Sequence, residues 1–509
     1  MERIAAGIVS KLRLTANALT PINQLPPEIL CEVFFHLRPV IRRGSKQPRS
    51  TRQPFEDLLA VTHTCQHWRE TAIAAPDLWS QLVARDPRKD LDNMTLLFIS
   101  RSGDLLLDAD LGYRLDPVAP YTNRLRTLSC KGCTTDDFSR FSNHPAPFLE
   151  TLHIHTHYAD PEGRSLPTLF NNDSPSLREL VVSGYNPFTN NHFKGLSSLS
   201  LNLSSQRDSR KFLTPLLAML HDCPRLEELF LSLGVASDNL PSADGIPTRV
   251  PLHALRKLHL RATPAGLTYR FLNSVDLALN GIAVQFTNIT PEPGWVFPTM
   301  LPRELCLQSV TSLEIIYTSG RGLIIQGVNP GMQIRVVEDS TSNMNHEDRL
   351  RYLVHRTSPQ PPLRELWIHI ERKKEYKLPP LSQLSNLEKL VVRVTTNGNP
   401  IRRLLRMLDV DGGVPCPLLS TLDLSGVLSI EHLSKVLKAR SSAGCRLGRL
   451  RLGSTLVLPE DITILLDHVE ELELFKEDAE PRGMEFPAVC TTETSEWWEP
   501  WTNHNVGWL

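Results

Sequence analysis

One pattern constrains this fold more than any other feature: Leu-x-x-Leu-x-(Leu/Ile/Val), repeated from Leu125 to Val469. It reads Leu149-Glu-Thr-Leu152-His-Ile154, then Leu177-Arg-Glu-Leu180-Val-Val182, and returns at Leu196, Leu226, Leu255, Leu363, Leu387, Leu419 and Leu447. A truncated copy starts at Leu125 and a valine-led one at Val469. Within each copy the later aliphatic positions alternate with other residues, which is the period of a strand. Successive starts lie 24, 28, 19, 30 and 29 residues apart as far as Leu255, and 24, 32, 28 and 22 apart from Leu363 onward. Many copies follow a proline-containing loop ("APFLETL", "SPSLREL", "CPRLEEL", "PPLRELW", "CPLLSTL"), as if one turn were entered repeatedly. Between Leu255 and Leu363 the pattern thins. Val310-Thr-Ser-Leu313-Glu-Ile315 is a fair copy, "GLIIQGV" and "MQIRVVE" read as strands, and "TNITPEPGWVFP" reads as an insert.

These intervals resemble those of leucine-rich repeats of variable length. The resemblance implies strands stacked side by side, with a continuous core behind them and a concave surface in front. The residues between the buried aliphatic positions would then line that surface and hold a target protein. On this reading the target-binding candidates are His153, His155, Phe230, His259, Arg261, Trp367, His369, Arg393 and Arg451. Trp367 leads them, because an aromatic side chain among charges is the composition of a binding hot spot.

Ahead of the repeats lies a different kind of segment. In "PINQLPPEILCEVFFHL", Pro26 and Pro27 suit a helix start, where a missing N–H costs nothing. Glu28 favours the helix dipole, and Ile29, Leu30, Val33, Phe34 and Leu37 form a stripe at helical period. A second helix is expected from about Phe55 to Ala75, with Leu58, Val61, Cys65, Trp68 and Ala72 on its apolar face. Leu78, Trp79 and Leu82 follow. A unit of about sixty residues is marginal alone, since it buries only ~60% of the surface its unfolded chain exposes. Its apolar faces need either the rest of the chain or a partner.

The order Leu25-Pro26-Pro27-Glu28-Ile29-Leu30, Phe34-Phe35-His36-Leu37, Cys65-x-x-Trp68-Arg69 and Pro76-x-Leu78-Trp79 resembles an F-box. The resemblance covers Ile22 to about Leu82. It implies docking into a Skp-type adaptor and, through it, a cullin–RING ubiquitin ligase. Carried over by position, Leu25, Pro26, Ile29, Leu30, Val33 and Leu37 would face the adaptor, and Val61, Cys65, Trp68 and Trp79 would hold the unit together. One departure is a long basic connection, residues 38–53, which reads as a solvated loop or as a contact for an acidic surface.

With 55 basic and 56 acidic residues the net charge is −1, so no global field points to nucleic acid or an anionic membrane. No apolar run approaches a membrane span, and nine scattered cysteines suggest reduced thiols rather than a disulfide framework. Arg3, Lys11 and Arg13 do not amount to a targeting presequence beside Glu2. Cys130-Lys-Gly-Cys133 with His144, His153, His155 and His157 falls short of a zinc site, because the repeat register buries Cys130 and turns the histidines elsewhere. No nucleotide-binding, hydrolase or metalloprotease motif occurs.

The expected architecture is therefore α/β: a small N-terminal helical F-box module followed by an irregular leucine-rich-repeat solenoid. Residues 1–21 would form a leader, 22–82 the F-box-like domain, 83–480 the repeats and 481–509 a tryptophan-rich tail or cap. The expected function is a non-catalytic substrate receptor of an SCF-type ubiquitin ligase, with no cofactor or metal, in the cytoplasm or nucleus. The competing function is an interaction scaffold serving a complex without ubiquitin transfer, and a hidden enzyme within Gly266–Asn345 is the distant third. The tail would either cap the last repeat or act as an acidic–aromatic peptide for a partner.

Overall fold

The computed structural model describes residues 2–38, 55–84, 92–112, 115–156, 165–188, 191–203, 212–233, 249–278, 280–289, 310–317, 323–329, 332–338, 362–371, 380–394, 400–409, 413–426, 429–453, 459–475, 483–492, 498 and 500–501. The basic connection 39–53 lies outside them, as do His157, Trp497 and Trp508. The chain divides into two compact units, Met1–Leu226 with Ser495–Trp497 and Glu227–Thr494 with Trp498–Leu509.

The first unit opens with helices. Helix α1 spans Glu2–Ala18 and α2 spans Pro27–Phe35, with Pro27 in its first turn and Glu28 beside it. The single helix expected from Phe55 to Ala75 is two helices, α3 (Glu56–Thr64) and α4 (Gln66–Ile73). Cys65 between them is fully extended (φ −155°, ψ 171°). The break is stabilised at once: the Arg69 Nε donates to the Thr62 carbonyl at 2.7 Å, satisfying an acceptor that the end of α3 leaves open. Trp79 closes the next turn in the same way, its indole N–H donating to the Ala72 carbonyl at 2.8 Å. Its ring meets Phe98 edge-on at 5.0 Å, with the Arg101 guanidinium 4.3 Å above it.

From Trp79 the chain runs straight into a sheet. Strand β1 (Gln81–Ala84) pairs in parallel with β2 (Leu107–Gly112), and β3 (Leu125–Lys131), β4 (Thr151–His155), β5 (Glu179–Ser183) and β6 (Ser198–Asn202) follow in parallel order. The leucine pattern sets the register: Leu128, Leu152, Leu180 and Leu199 are partners in successive strands, and so are Cys130, Ile154, Val182 and Leu201. All eight side chains are buried. Leucines in register bury one continuous apolar row, and any slip by one residue would turn that row over.

The second unit has its own sheet, and most of it is again parallel. Strand β7 (Glu228–Ser232) pairs with β9 (Lys257–Arg261), and β9 with β11 (Ile282–Thr287). A separate small pair joins β8 (Val250–Leu252) to β10 (Val275–Leu277). Where the repeat pattern thins, the topology changes. The chain passes over two positions to β12 (Ser312–Tyr317) and then returns antiparallel through β13 (Leu323–Asn329) to β14 (Met332–Glu338), which pairs with β11. Beyond β12 the parallel order resumes with β15 (Glu365–Ile370), β16 (Lys389–Val394), β17 (Thr421–Ser425), β18 (Leu447–Gly453) and β19 (Val469–Phe475). Helices Pro400–Met407 and Ile430–Ser442 pack beside this sheet. Arg440 of the second is buried, donates to the Pro415 and Cys416 carbonyls at 2.6 and 2.9 Å, and is pushed down in pKa by that burial.

This architecture overturns the expectation of a helical F-box module followed by a leucine-rich-repeat solenoid. The chain is a mixed α/β protein of large, parallel-dominated sheets with few and short helices. Apart from α1 and Ile430–Ser442, no described helix exceeds ten residues. Two physical causes account for the difference. The leucine spacing fixes strand register but says nothing about what connects the strands, and in the first unit several connections are 3-10 turns such as Ala119–Arg124 and Phe170–Asn172. The antiparallel excursion through β12, β13 and β14 also interrupts any single repeating unit.

Candidate protein-binding surfaces

Two surfaces stand out, one in each unit. The first is the outer side of the N-terminal helices. Along α1, Ile4, Ile8 and Leu12 follow one another at four-residue spacing and are 70%, 56% and 65% exposed, so they share a face. Asn23 ties the following 3-10 turn to α1 by donating to the Asn17 carbonyl at 2.7 Å, and the Trp68 indole donates to Asn23 Oδ1 at 2.6 Å. On α2 the stripe divides. Ile29 and Val33 are exposed, whereas Leu30 and Phe34 are sealed, with Phe34 5.2 Å from the Trp68 ring.

Of the expected adaptor-facing residues, Pro26, Ile29 and Val33 are therefore open to solvent and Leu25 and Leu37 half-buried. Leu30 is a correction: it belongs to the interior. Leu30 and Phe34, four residues apart, lie on one face of α2, and that face is the one the chain packs inside. Among the residues expected to hold the unit together, Val61 and Trp79 are buried, and Cys65 and Trp68 are partly so.

The second surface is the face of the second sheet on which the residues between the aliphatic positions lie. In register across it run Phe230, His259 and Gln285, and beyond the antiparallel strands Glu314, Trp367, Val391, Asp423 and Arg451. Phe230, His259, Trp367 and Arg451 of this row, with Arg261, His369 and Arg393 on the same strands, were expected to face solvent, and most of them do not. Phe230, His259, Trp367 and Arg393 are buried, His369 and Arg451 are half-buried, and Arg261 alone among the expected target-binding residues of this unit is exposed. In the first unit His153 is also buried, 3.0 Å from Glu179, while His155 is half-buried. Cys130 is fully buried beside Cys133, and burial pushes its thiol well above the usual range.

The chain's own C-terminal segment supplies the cover in the second unit. Met484 packs with Trp367 and Val391, and Phe486 lies against the same cluster. The helical turn Ala488–Thr491 follows beside β11. Lys257 then donates to the Thr492 carbonyl at 3.1 Å, and its ammonium sits 5.0 Å from the Trp498 ring. Trp498 meets Phe230 and His259 edge-on at 6.3 and 6.5 Å, and Trp501 stacks on Trp498 at 6.4 Å. Burial pushes the Lys257 ammonium down, against the opposing carboxylate of Glu228. No protein-family model matches this chain, and no curated protein does.

Sequence reasoning missed several residues of this face. Asp423 accepts from Arg393 at 2.7 and 3.0 Å and from Arg451 at 3.0 Å, and the Phe475 ring lies 4.6 and 5.0 Å from those two guanidinium carbons. Glu314 is sealed, with His369 Nε2 at 2.9 Å and the Gln326 amide donating to its other oxygen. Their signal was present, because Asp423 and Glu314 occupy the same middle position as His153 and Trp367. The same alternation also places Gln285, between Val284 and Phe286. Among the described residues, no helix is long and apolar enough to cross a membrane.

Proposed function

We propose that this chain is a non-catalytic receptor that joins a target protein to a ubiquitin ligase of the SCF type. The observation that carries the reading is the division of α2: its inner residues are packed, while Ile29 and Val33 are 48% and 43% exposed. Exposed large aliphatic side chains on a short, otherwise packed helix are what a docking subunit would cover. The resemblance of residues 22–82 to an F-box supports a Skp-type adaptor as that subunit, with a cullin–RING ligase beyond it. On the second surface the exposed Arg261 and the half-buried His369 and Arg451 are the groups that a target protein would meet.

The test uses the exposed positions, because the sealed one reports folding. The double variant Ile29→Asp with Val33→Asp should keep the parent's melting temperature and lose co-purification of the adaptor and the cullin. Capture of the adaptor at the parent's level by the folded double variant would refute the assignment.

A further inference from the structure

The last strand of the second unit lacks the cover that the strands before it have. β19 pairs in parallel with β18, setting Glu471, Leu472, Glu473 and Leu474 opposite Arg449, Leu450, Arg451 and Leu452. No other strand among the described residues takes its far edge. Leu450 and Leu452 are fully buried, whereas Leu474, the partner of Leu452, is 46% exposed and Leu472 is half-buried. The helix Pro459–Leu466, which packs beside β19, leaves Ile464 and Leu466 47% and 46% exposed. The described part of the C-terminal segment is engaged elsewhere, with Met484 on Trp367 and Trp498 on Phe230. An open strand edge with uncovered aliphatic side chains is a template for one more strand.

The charge around this edge specifies the strand. From Ile462 to Phe475 the chain carries Asp467, Glu470, Glu471 and Glu473 and no lysine or arginine. On the occupied side, β18 meets these carboxylates with arginines. Arg449 donates to Glu471 at 3.2 Å and Arg451 to Glu473 at 3.0 and 3.2 Å, while leucine lies beside leucine between them. Two copies of β19 placed edge to edge with leucine beside leucine would set carboxylate against carboxylate. Like charges directly opposite one another destabilise a sheet, so a second copy of this chain is a poor occupant. We propose that the free edge of β19 receives an extended strand of a partner protein in which arginine or lysine alternates with aliphatic residues. Its basic side chains face Glu471 and Glu473, and its aliphatic ones cover Leu472 and Leu474. Main-chain hydrogen bonds supply affinity in such an addition, and the alternating side chains supply specificity. Strand addition at β19 goes beyond the proposed function and requires neither adaptor nor ubiquitin.

The experiment uses the full chain and fluorescein-labelled Leu-Gly-Arg-Leu-Arg-Leu-Gly, the sequence of β18, read by fluorescence polarisation. The parent should bind this peptide. It should bind neither Leu-Gly-Glu-Leu-Glu-Leu-Gly nor the shuffled Gly-Leu-Leu-Leu-Arg-Arg-Gly. In the folded variant Leu474→Lys, affinity should fall about tenfold or more, as expected when a leucine contact is exchanged for a charge. Hydrogen exchange on the parent keeps the test decisive if that variant does not fold. Saturating peptide should slow the amides of residues 469–475 and leave those of β7 and β9 unchanged. Equal binding of the shuffled peptide, which would mark simple attraction of cations, overturns the proposal. So does unchanged affinity in folded Leu474→Lys, no binding of any peptide, or exchange in β19 that is indifferent to the peptide. A dimer of the parent that Leu474→Lys dissolves also overturns it, because a second copy would then hold the edge. None of these results bears on adaptor capture.

Discussion

The two ends of the chain treat apolar surface in opposite ways. At the N-terminus, Ile4, Ile8, Leu12, Ile29 and Val33 stay exposed although Leu30, Phe34, Val61 and Trp79 beside them pack inside. In the second unit the row that includes Phe230, His259 and Trp367 is covered, and the cover comes from the chain itself. On α2 the chain covers Leu30 and Phe34 and leaves Ile29 and Val33 exposed. A sheet face is broad enough for a returning segment to lie on, and here Met484 and Trp498 do so.

The contrast can be broken most severely at Asp423. Replacing it by alanine leaves the buried Arg393 without the carboxylate to which it donates, while half-buried Arg451 keeps Glu473 at 3.0 and 3.2 Å. Loss of a partner from such a cluster costs about 3–5 kcal/mol, and chemical denaturation followed on the second unit should show it. If Asp423→Ala costs less than about 1 kcal/mol, the covered face behaves as solvent-exposed surface and the contrast fails.

Next in size is the division within α2. Leu30→Ala removes a sealed side chain and should destabilise the first unit by about 2–5 kcal/mol. Ile29→Ala, one residue earlier, should change stability by no more than about 0.5 kcal/mol. Comparable losses for the two would mean that the helix buries both sides.

The smallest effect concerns Glu365, at the border of the covered cluster. Burial alone would raise its pKa, but bonds from Lys389, the Trp367 indole and Ser312 outweigh that and hold the carboxyl below its usual 4.5. A depressed carboxylate stabilises the fold above its unfolded pKa, and that contribution disappears as pH falls through the lower, folded value. The melting-temperature difference between the parent and Glu365→Gln should therefore be full above pH 4.5 and shrink as the solution is acidified below it. A difference that stays constant down through that range would show that Glu365 is not held by its neighbours.

Much of the strand order could be read from the leucines. Leu152, Leu180, Leu199, Leu366, Leu390, Leu422 and Leu450 each fall at the fourth position of a copy, and each is buried in a strand. The connections could not be read, because turns and short helices between strands carry no comparable period. The break at Cys65 shows the same limit on a smaller scale: its neighbours keep a helical spacing of apolar residues through a point where the backbone is extended. For the candidate sites, alternation identified which residues share the sheet face, including His259 and Trp367, but assigned them to solvent. Nothing local to those strands says that Met484 and Trp498, more than a hundred residues later, will lie on them.

The sequence alone determined where strands form and which side chains align across them, because both follow from a period of two residues and from the burial of leucine. Tertiary structure decided what remains exposed. Exposure depends on which distant segment reaches a given face, and that is settled by the whole chain's packing and not by any residue's neighbours in sequence.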